Sequence, residues 1–182
     1  MAQGRGCAAQ DEQAFLERVQ AHAPALRRFA ERLSGSRADA DDVLQETLVR
    51  ALERRAELRD PRNLRSWLFA ITRTVSLNAR RGLRNALEVL DGGLSSSRGE
   101  VSLRGNLESE ILDRSLSDEL MAALEALSRE HREALWLREV EDLSYEEIAR
   151  VVDCEVGTVR SRLARARAAL AARLRKESGD GV

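Results

Sequence analysis

Residues 143–170 have the sequence LSYEEIARVVDCEVGTVRSRLARARAAL. Ser144 is followed three positions later by Glu147, a pattern that predicts a capping box at the start of a short helix ending near Val151. A turn over residues 152–156 then leads into a second helix from Gly157 to about Lys176. Short helix, tight turn and long helix together predict a helix-turn-helix.

The second of these helices has one apolar and one basic side. At 100° per residue, its apolar side chains fall on one face: Val159, Leu163, Ala166, Leu170 and Leu174. Residues 157–176 contain seven basic residues and no acid. Arginine reads guanine edges and Ser or Thr reach bases or phosphates, so we expect the outer face to bind DNA. Its predicted contacts are Thr158, Arg160, Ser161, Arg162 and Arg165, with Arg167 and Arg173 on phosphates; an ordinary solvated helix is the alternative.

The chain is predicted to be all-α, with two small helical domains joined by a flexible linker. No segment of the 182 residues alternates apolar and polar positions as a strand would. A Gly- and Ser-rich segment interrupts the helical pattern and predicts a linker over residues 89–111. It separates an N-terminal domain, residues 10–88, from the C-terminal helix-turn-helix domain, residues 112–176.

The N-terminal domain is predicted to contain four helices. They begin at Asp11, near Pro24, at about residue 38 (ending near 57) and at about Asn63 (ending near Arg81). Acids in the first turn of the third helix are favoured by its dipole: Asp39, Asp41 and Asp42. The buried side of the fourth helix is predicted to include Trp67. Arginines form a stripe on its opposite side that suits a phosphate backbone: Arg62, Arg73, Arg80 and Arg84.

Several functional classes are excluded by composition. No apolar run is long enough to span a membrane and residues 1–10 do not form a signal peptide, so we expect a cytoplasmic protein without membrane insertion. Cys7 and Cys154 lack metal-ligand neighbours and are interpreted as unrelated thiols. His22 and His131 are isolated, and no nucleophile or phosphate-binding glycine loop is present. We therefore expect no cofactor, no metal and no enzymatic activity.

Three stretches carry a resemblance to a known family. They are DADDVLQETLVRALERR at 39–55, LRSWLFAITRTVSLNARR at 64–81, and LSREHREALWLREVEDLSYEEIARVVDCEVGTVRSRLARARAAL at 127–170. They resemble the polymerase-binding, −10 and −35 segments of extracytoplasmic-function (ECF) RNA polymerase sigma factors of the sigma-70 family, in the same order. The resemblance implies a protein that directs promoter-specific transcription initiation, with core RNA polymerase, promoter DNA and an anti-sigma factor as partners.

The resemblance also implies site residues. Asp42, Gln45 and Glu46 would bind the clamp helices of the largest polymerase subunit, and the 57–63 loop would capture a flipped base. The −10 contacts would be Arg62, Asn63, Arg73, Arg80 and Arg84, and the −35 contacts Thr158, Arg160, Ser161, Arg162 and Arg165. A stand-alone helix-turn-helix regulator and an anti-sigma-like helical mimic are the alternatives, against which residues 39–81 and the basic last helix argue respectively.

Some positions depart from the family pattern. Ser128 stands where a proline often begins the helix, and Asp153-Cys154-Glu155 replaces a glycine-containing turn. Thr74 and Asn78 replace a common Asn and a common acid in the −10 segment. These departures bear on promoter preference rather than on the fold; Asp tolerates the left-handed backbone that such a turn requires.

Overall fold

The computed structural model describes residues 3–34, 36–90 and 118–179. Its elements in these ranges are α-helices and short 3-10 turns, which confirms the predicted all-α fold. The chain divides into two compact units, residues 1–105 and 106–182. The predicted linker lies, from residue 91 onward, outside the described residues. None of the described helices is long and apolar enough to cross a membrane.

The described part of the first unit contains four helices and two 3-10 turns. The helices are α1 (Gln3–Gln20), α2 (Ala23–Ser34), α3 (Arg37–Glu53) and α4 (Leu64–Leu90), and the 3-10 turns are Arg55–Glu57 and Pro61–Asn63. Helix α1 begins earlier than expected and α4 continues past Arg81. Helix α3 ends earlier than expected, because the chain leaves helical geometry at Arg54 (φ −101°, ψ 13°) and enters the first 3-10 turn.

The start of α3 corrects the prediction for its acids. Ser36 is the N-cap, and its side chain accepts a hydrogen bond from the amide of Asp39 at 3.4 Å. Asp39 is therefore the one acid in the first turn, whereas Asp41 and Asp42 lie in the second. Asp41 instead bonds Arg27 of α2 at 2.6 Å, and this hydrogen bond lowers the pKa of the Asp41 carboxyl.

Helices α2, α3 and α4 pack on one another around an apolar core. The rings of Phe29 and Phe69 meet edge to face with centroids 5.2 Å apart, a favoured arrangement for aromatic pairs. Helix α1 adds the buried Val19, and Trp67 is half-buried, less than predicted. The other large buried residues of this core are Leu26, Leu33, Val43, Leu64, Leu68, Ile71 and Val75.

Hydroxyl side chains are also buried in this core. Thr47, Thr72 and Ser76 each donate to the carbonyl four residues earlier in their own helix, at 2.7, 2.9 and 2.8 Å. Because each hydroxyl has a partner inside its helix, its burial costs little free energy. Small side chains at these positions let the helices approach closely without leaving an unsatisfied polar group.

The second unit contains α5 (Asp118–Glu125), α6 (Arg129–Glu139), α7 (Tyr145–Val152) and α8 (Val156–Gly179). Helix α8 contacts each of the other three. The predicted apolar face of α8 is confirmed at Val159, Leu163 and Ala166, which are at most 1 % exposed. Leu170 and Leu174, farther along this face, are half-buried.

The capping box at the start of α7 is confirmed. The Ser144 hydroxyl accepts from the Glu147 amide at 3.2 Å, and the Glu147 carboxylate accepts from the Ser144 amide at 2.8 Å. Helix α7 ends at Asp153, which has the left-handed backbone (φ 54°, ψ 61°) expected for this turn. The predicted helix-turn-helix is therefore present.

We expect Ser144→Ala to lower the stability of the second unit by about 1 kcal/mol, the usual loss for an N-cap. Ser128→Ala should cost less, because Ser128 caps α6 with one long bond of 3.4 Å to the His131 amide. Denaturant unfolding would be followed by Trp136 fluorescence in a Trp67→Phe background, so that the signal comes from this unit. Equal midpoints for both variants would show that the capping box has no special role.

Candidate nucleic-acid interface

Arg160 and Arg165 are the best-placed cations on the outer face of α8. Both are exposed, and neither forms a hydrogen bond or ion pair with the described residues. Thr158 and Ser161, on the same side, are half-buried, and the Ser161 hydroxyl donates to the Thr158 carbonyl at 2.9 Å. The buried apolar face turns both arginines outward, so they can reach a polyanion without breaking an internal contact.

Arg162 is held closer to its own unit than the sequence suggested. It is half-buried, and its Nη1 lies 4.0 Å from the Sγ of Cys154 in the preceding turn. Its positive charge also acts on Glu130 at the start of α6. The pKa of the Glu130 carboxyl is lowered by a hydrogen bond with its own backbone amide and by a smaller effect of one with Ser128. The charges of Arg162 and Arg129 lower it further.

Arg167, predicted to contact a phosphate, is paired with an acid from another helix. Its Nη2 and Nε lie 2.6 and 3.2 Å from one carboxylate oxygen of Glu139, on α6. The hydrogen bond to Glu139, followed by one to Tyr145, raises the pKa of the Arg167 guanidinium. Sequence periodicity placed Arg167 near the surface but could not identify an acid on another helix. Arg167 is thus less available to phosphates than Arg160 or Arg165.

The arginine stripe of α4 is more heterogeneous than predicted. Arg62 precedes the helix, in the 3-10 turn, and bonds Asp60 with its Nε and Nη2 at 3.0 to 3.2 Å. Arg80 is half-buried, and its Nη1 donates to the Leu33 carbonyl at 3.2 Å, so it helps to hold α2 against α4. Arg73 is half-buried and also has an interaction partner. The side chain of Arg84 lies outside the described residues.

The 57–63 loop is held in place by several contacts. Asp60 caps the second 3-10 turn by accepting from the Arg62 amide at 3.0 Å, and the Asn63 carbonyl accepts from Ser66 at 3.1 Å. Helix α1 supports the loop from one side, because Arg18 donates to the Pro61 carbonyl at 3.1 Å. The role of Arg18 was not predicted from the sequence, since nothing in the pattern of α1 indicates a contact with residue 61.

A second exposed surface lies on α3. Asp42 and Gln45 are exposed and make no hydrogen bond or ion pair with the described residues, whereas Glu46 bonds Arg50 at 2.6 Å. Val49 follows at helical spacing and is 49 % exposed. The structure thus brings the three predicted residues onto one face and adds an apolar side chain. Val49 could have been noticed in the sequence, because it is an apolar residue that does not lie on the buried face of α3.

Two parts of the chain match models of known families: Sigma-70 region 2 over residues 18–86 and Sigma-70 region 4 over residues 117–170. The chain is 38 % identical over 157 residues to the ECF RNA polymerase sigma factor EcfG of Rhodopseudomonas palustris, covering 86 % of this chain and 82 % of that protein. It is also 38 % identical over 165 residues to the ECF RNA polymerase sigma factor SigE of Mycolicibacterium smegmatis, covering 90 % and 63 %.

A solved structure agrees with these matches. The sigma factor RpoE of Bartonella quintana, crystallised with the anti-sigma factor NepR, superposes with a TM-score of 0.68 and 30 % sequence identity. The match covers 90 % of this chain and 98 % of RpoE. Both described units of this chain therefore have counterparts in one similar protein.

Proposed function

Because this chain belongs to the ECF RNA polymerase sigma factors, we propose that its two units divide promoter recognition between them. The N-terminal domain, residues 10–88, binds core polymerase and the −10 element, and the C-terminal domain, residues 112–176, binds the −35 element. The segment between them, residues 89–111, serves as the linker. The observation that carries this assignment is the helix-turn-helix whose outward Arg160 and Arg165 have no internal partner.

The −35 surface is assigned to Thr158, Arg160, Ser161, Arg162 and Arg165. Arg160 and Arg165 are the best suited to base contacts, because neither would lose an internal bond on entering the major groove. Arg162 and Ser161 already have contacts within the unit and are better suited to supporting positions near the phosphates. Arg173 is exposed and makes no bond with the described residues, so it suits a phosphate contact.

The −10 surface is assigned to the 57–63 loop and the α4 arginines. The contacts that hold the loop support its use as a rigid element for capturing a base. Its contacts are assigned to Arg62, Asn63, Arg73, Arg80 and Arg84, of which the Arg62 side chain is 90 % exposed. An exposed ion pair is weak, so Arg62 can exchange Asp60 for a phosphate. Arg80 is assigned mainly to holding α2 in place.

The polymerase-binding surface is assigned to Asp42, Gln45 and Glu46, with Val49 beside them. An exposed apolar side chain surrounded by polar ones is a common composition for a docking surface. We further propose an anti-sigma partner, since a similar protein, RpoE of Bartonella quintana, was crystallised with one. The chain itself has no catalytic role in this proposal and acts in the cytoplasm with polymerase.

The protein is proposed to act within the holoenzyme rather than alone. Its net charge is −1, so its basic surfaces are balanced by acids elsewhere. Attaching both units to polymerase makes the second DNA contact effectively intramolecular, which raises the affinity of the pair above that of either unit.

Asp42→Ala combined with Gln45→Ala should weaken competition for core polymerase. Neither side chain caps α3, so each change should alter stability by less than about 0.5 kcal/mol. A matched control is Asp11→Ala with Gln13→Ala, which removes the same residue types from exposed positions on α1. The measurement is competition with labelled wild-type protein for core polymerase. If both double variants compete equally well, the α3 surface is not the docking site.

Arg160→Ala and Arg165→Ala should each relax the preference for one or two base pairs, by roughly 1–3 kcal/mol. Arg173→Ala should instead weaken all promoters alike and flatten the dependence of affinity on salt. Arg167→Ala should flatten it less than Arg173→Ala, because Glu139 already neutralises Arg167. Transcription from a randomised −35 library, with affinities measured over a range of salt, separates these effects. An unchanged −35 preference in both the Arg160 and the Arg165 variant would contradict the assignment.

A further inference from the structure

Two exposed arginines stand beside the 57–63 loop. Arg18, near the end of α1, places its Nη2 3.1 Å from the Pro61 carbonyl oxygen. Arg59 lies two residues before Pro61 in the loop itself and is exposed. One cation therefore comes from a helix 43 residues away in sequence and the other from the loop.

Other arginines in this part of the chain bond carboxylates. Arg54 bonds Glu57 at 2.9 Å, Arg55 bonds Glu12 at 2.7 Å, and Arg62 bonds Asp60 at 3.0 Å. Among the described residues no carboxylate bonds Arg18 or Arg59. A guanidinium has five N–H donors, and the Pro61 carbonyl occupies one of those of Arg18, so donors remain for an anion.

The positive charge of Arg18 also acts on a nearby histidine. His22 follows α1 and is half-buried. Partial burial, and then the positive charges of Arg65 and Arg18, lower the pKa of its imidazole. An anion bound to Arg18 would offset part of the positive charge that acts on His22, so anion binding should raise the pKa of the imidazole.

We propose that Arg18 and Arg59 bind a backbone phosphate of a single DNA strand lying over the 57–63 loop. The phosphate would be held by the Arg18 donors that remain beside the Pro61 contact and by the Arg59 guanidinium. Neither residue carries base preference in this arrangement; they fix the position of the strand on the loop. The inference rests on the proposed −10 function of the first unit, and it adds a contact from α1.

The test uses holoenzyme assembled from core polymerase and the full chain. Labelled single-stranded oligonucleotides, carrying a mapped −10 element or scrambled versions of it, are titrated over a range of salt. One phosphate contact contributes about 0.7 to the slope of log affinity against log salt for a single strand. Arg18→Ala with Arg59→Ala removes this contact and should flatten the slope by about that amount for every oligonucleotide, and Arg18→Ala alone by part of it.

Two variants control for structural effects. Arg55→Ala removes an exposed arginine that Glu12 already neutralises, and it should leave the slope near that of the wild type. Arg18→Lys keeps the charge and should retain most of the slope. If Arg18→Ala instead alters the base preference and leaves the slope unchanged, Arg18 merely supports the loop and the proposal is wrong. If wild-type holoenzyme does not prefer the −10 oligonucleotide, the proposed function itself fails.

Inorganic phosphate distinguishes a strand phosphate from a small anion. The His22 imidazole of the free chain is titrated by NMR with and without inorganic phosphate. A raised His22 pKa in phosphate, lost in Arg18→Ala, together with an unchanged oligonucleotide slope would identify a small-anion site and overturn the strand assignment. A flattened oligonucleotide slope in Arg18→Ala supports the strand assignment, whether or not free phosphate also raises the pKa of His22.

Discussion

The apolar face of α8 is the constraint on which the proposed DNA interface depends. Val159, Leu163 and Ala166 are almost completely buried, and α8 is the helix that touches all the others in its unit. Burial of a large apolar side chain contributes roughly 1.5–3 kcal/mol, far more than a surface charge costs or gains. A rotation of α8 by one residue, about 100°, would expose this face. The outward position of Arg160 and Arg165 therefore follows from burial and needs no specific contact of their own.

Ion pairing then decides which of the many arginines can meet a polyanion. Arg27 and Arg167 each bond a carboxylate, and Arg80 donates to a backbone carbonyl. Exposed pairs of this kind contribute little to stability. Their larger effect is to remove positive charge from some parts of the surface. Among the described residues, the exposed arginines without a carboxylate partner include Arg160 and Arg165 on α8 and Arg18 and Arg59 at the 57–63 loop.

A nearly neutral chain with a few uncompensated arginines suits a subunit that depends on its assembly. In the proposed assignment, association with polymerase brings both surfaces to the promoter at once. The α3 face has the opposite character, with acids and an exposed Val49. In the proposed assignment, polymerase binding and DNA binding therefore use surfaces of different charge in the first unit.

The helices, the capping box, the apolar face of α8 and the family could all be predicted from the sequence alone. Each of these depends on residues three or four positions apart or on a continuous motif, so they can be read locally. Helix ends were less predictable: α3 has Asp39 but not Asp41 or Asp42 in its first turn, and α4 continues to Leu90. The partners of the arginines could be identified only from the tertiary structure. Arg80 meets Leu33, Arg18 meets Pro61 and Arg167 meets Glu139 across 47, 43 and 28 residues, respectively. A helical wheel shows that an arginine is exposed, but the packing of a distant element determines whether an acid or a carbonyl reaches it first.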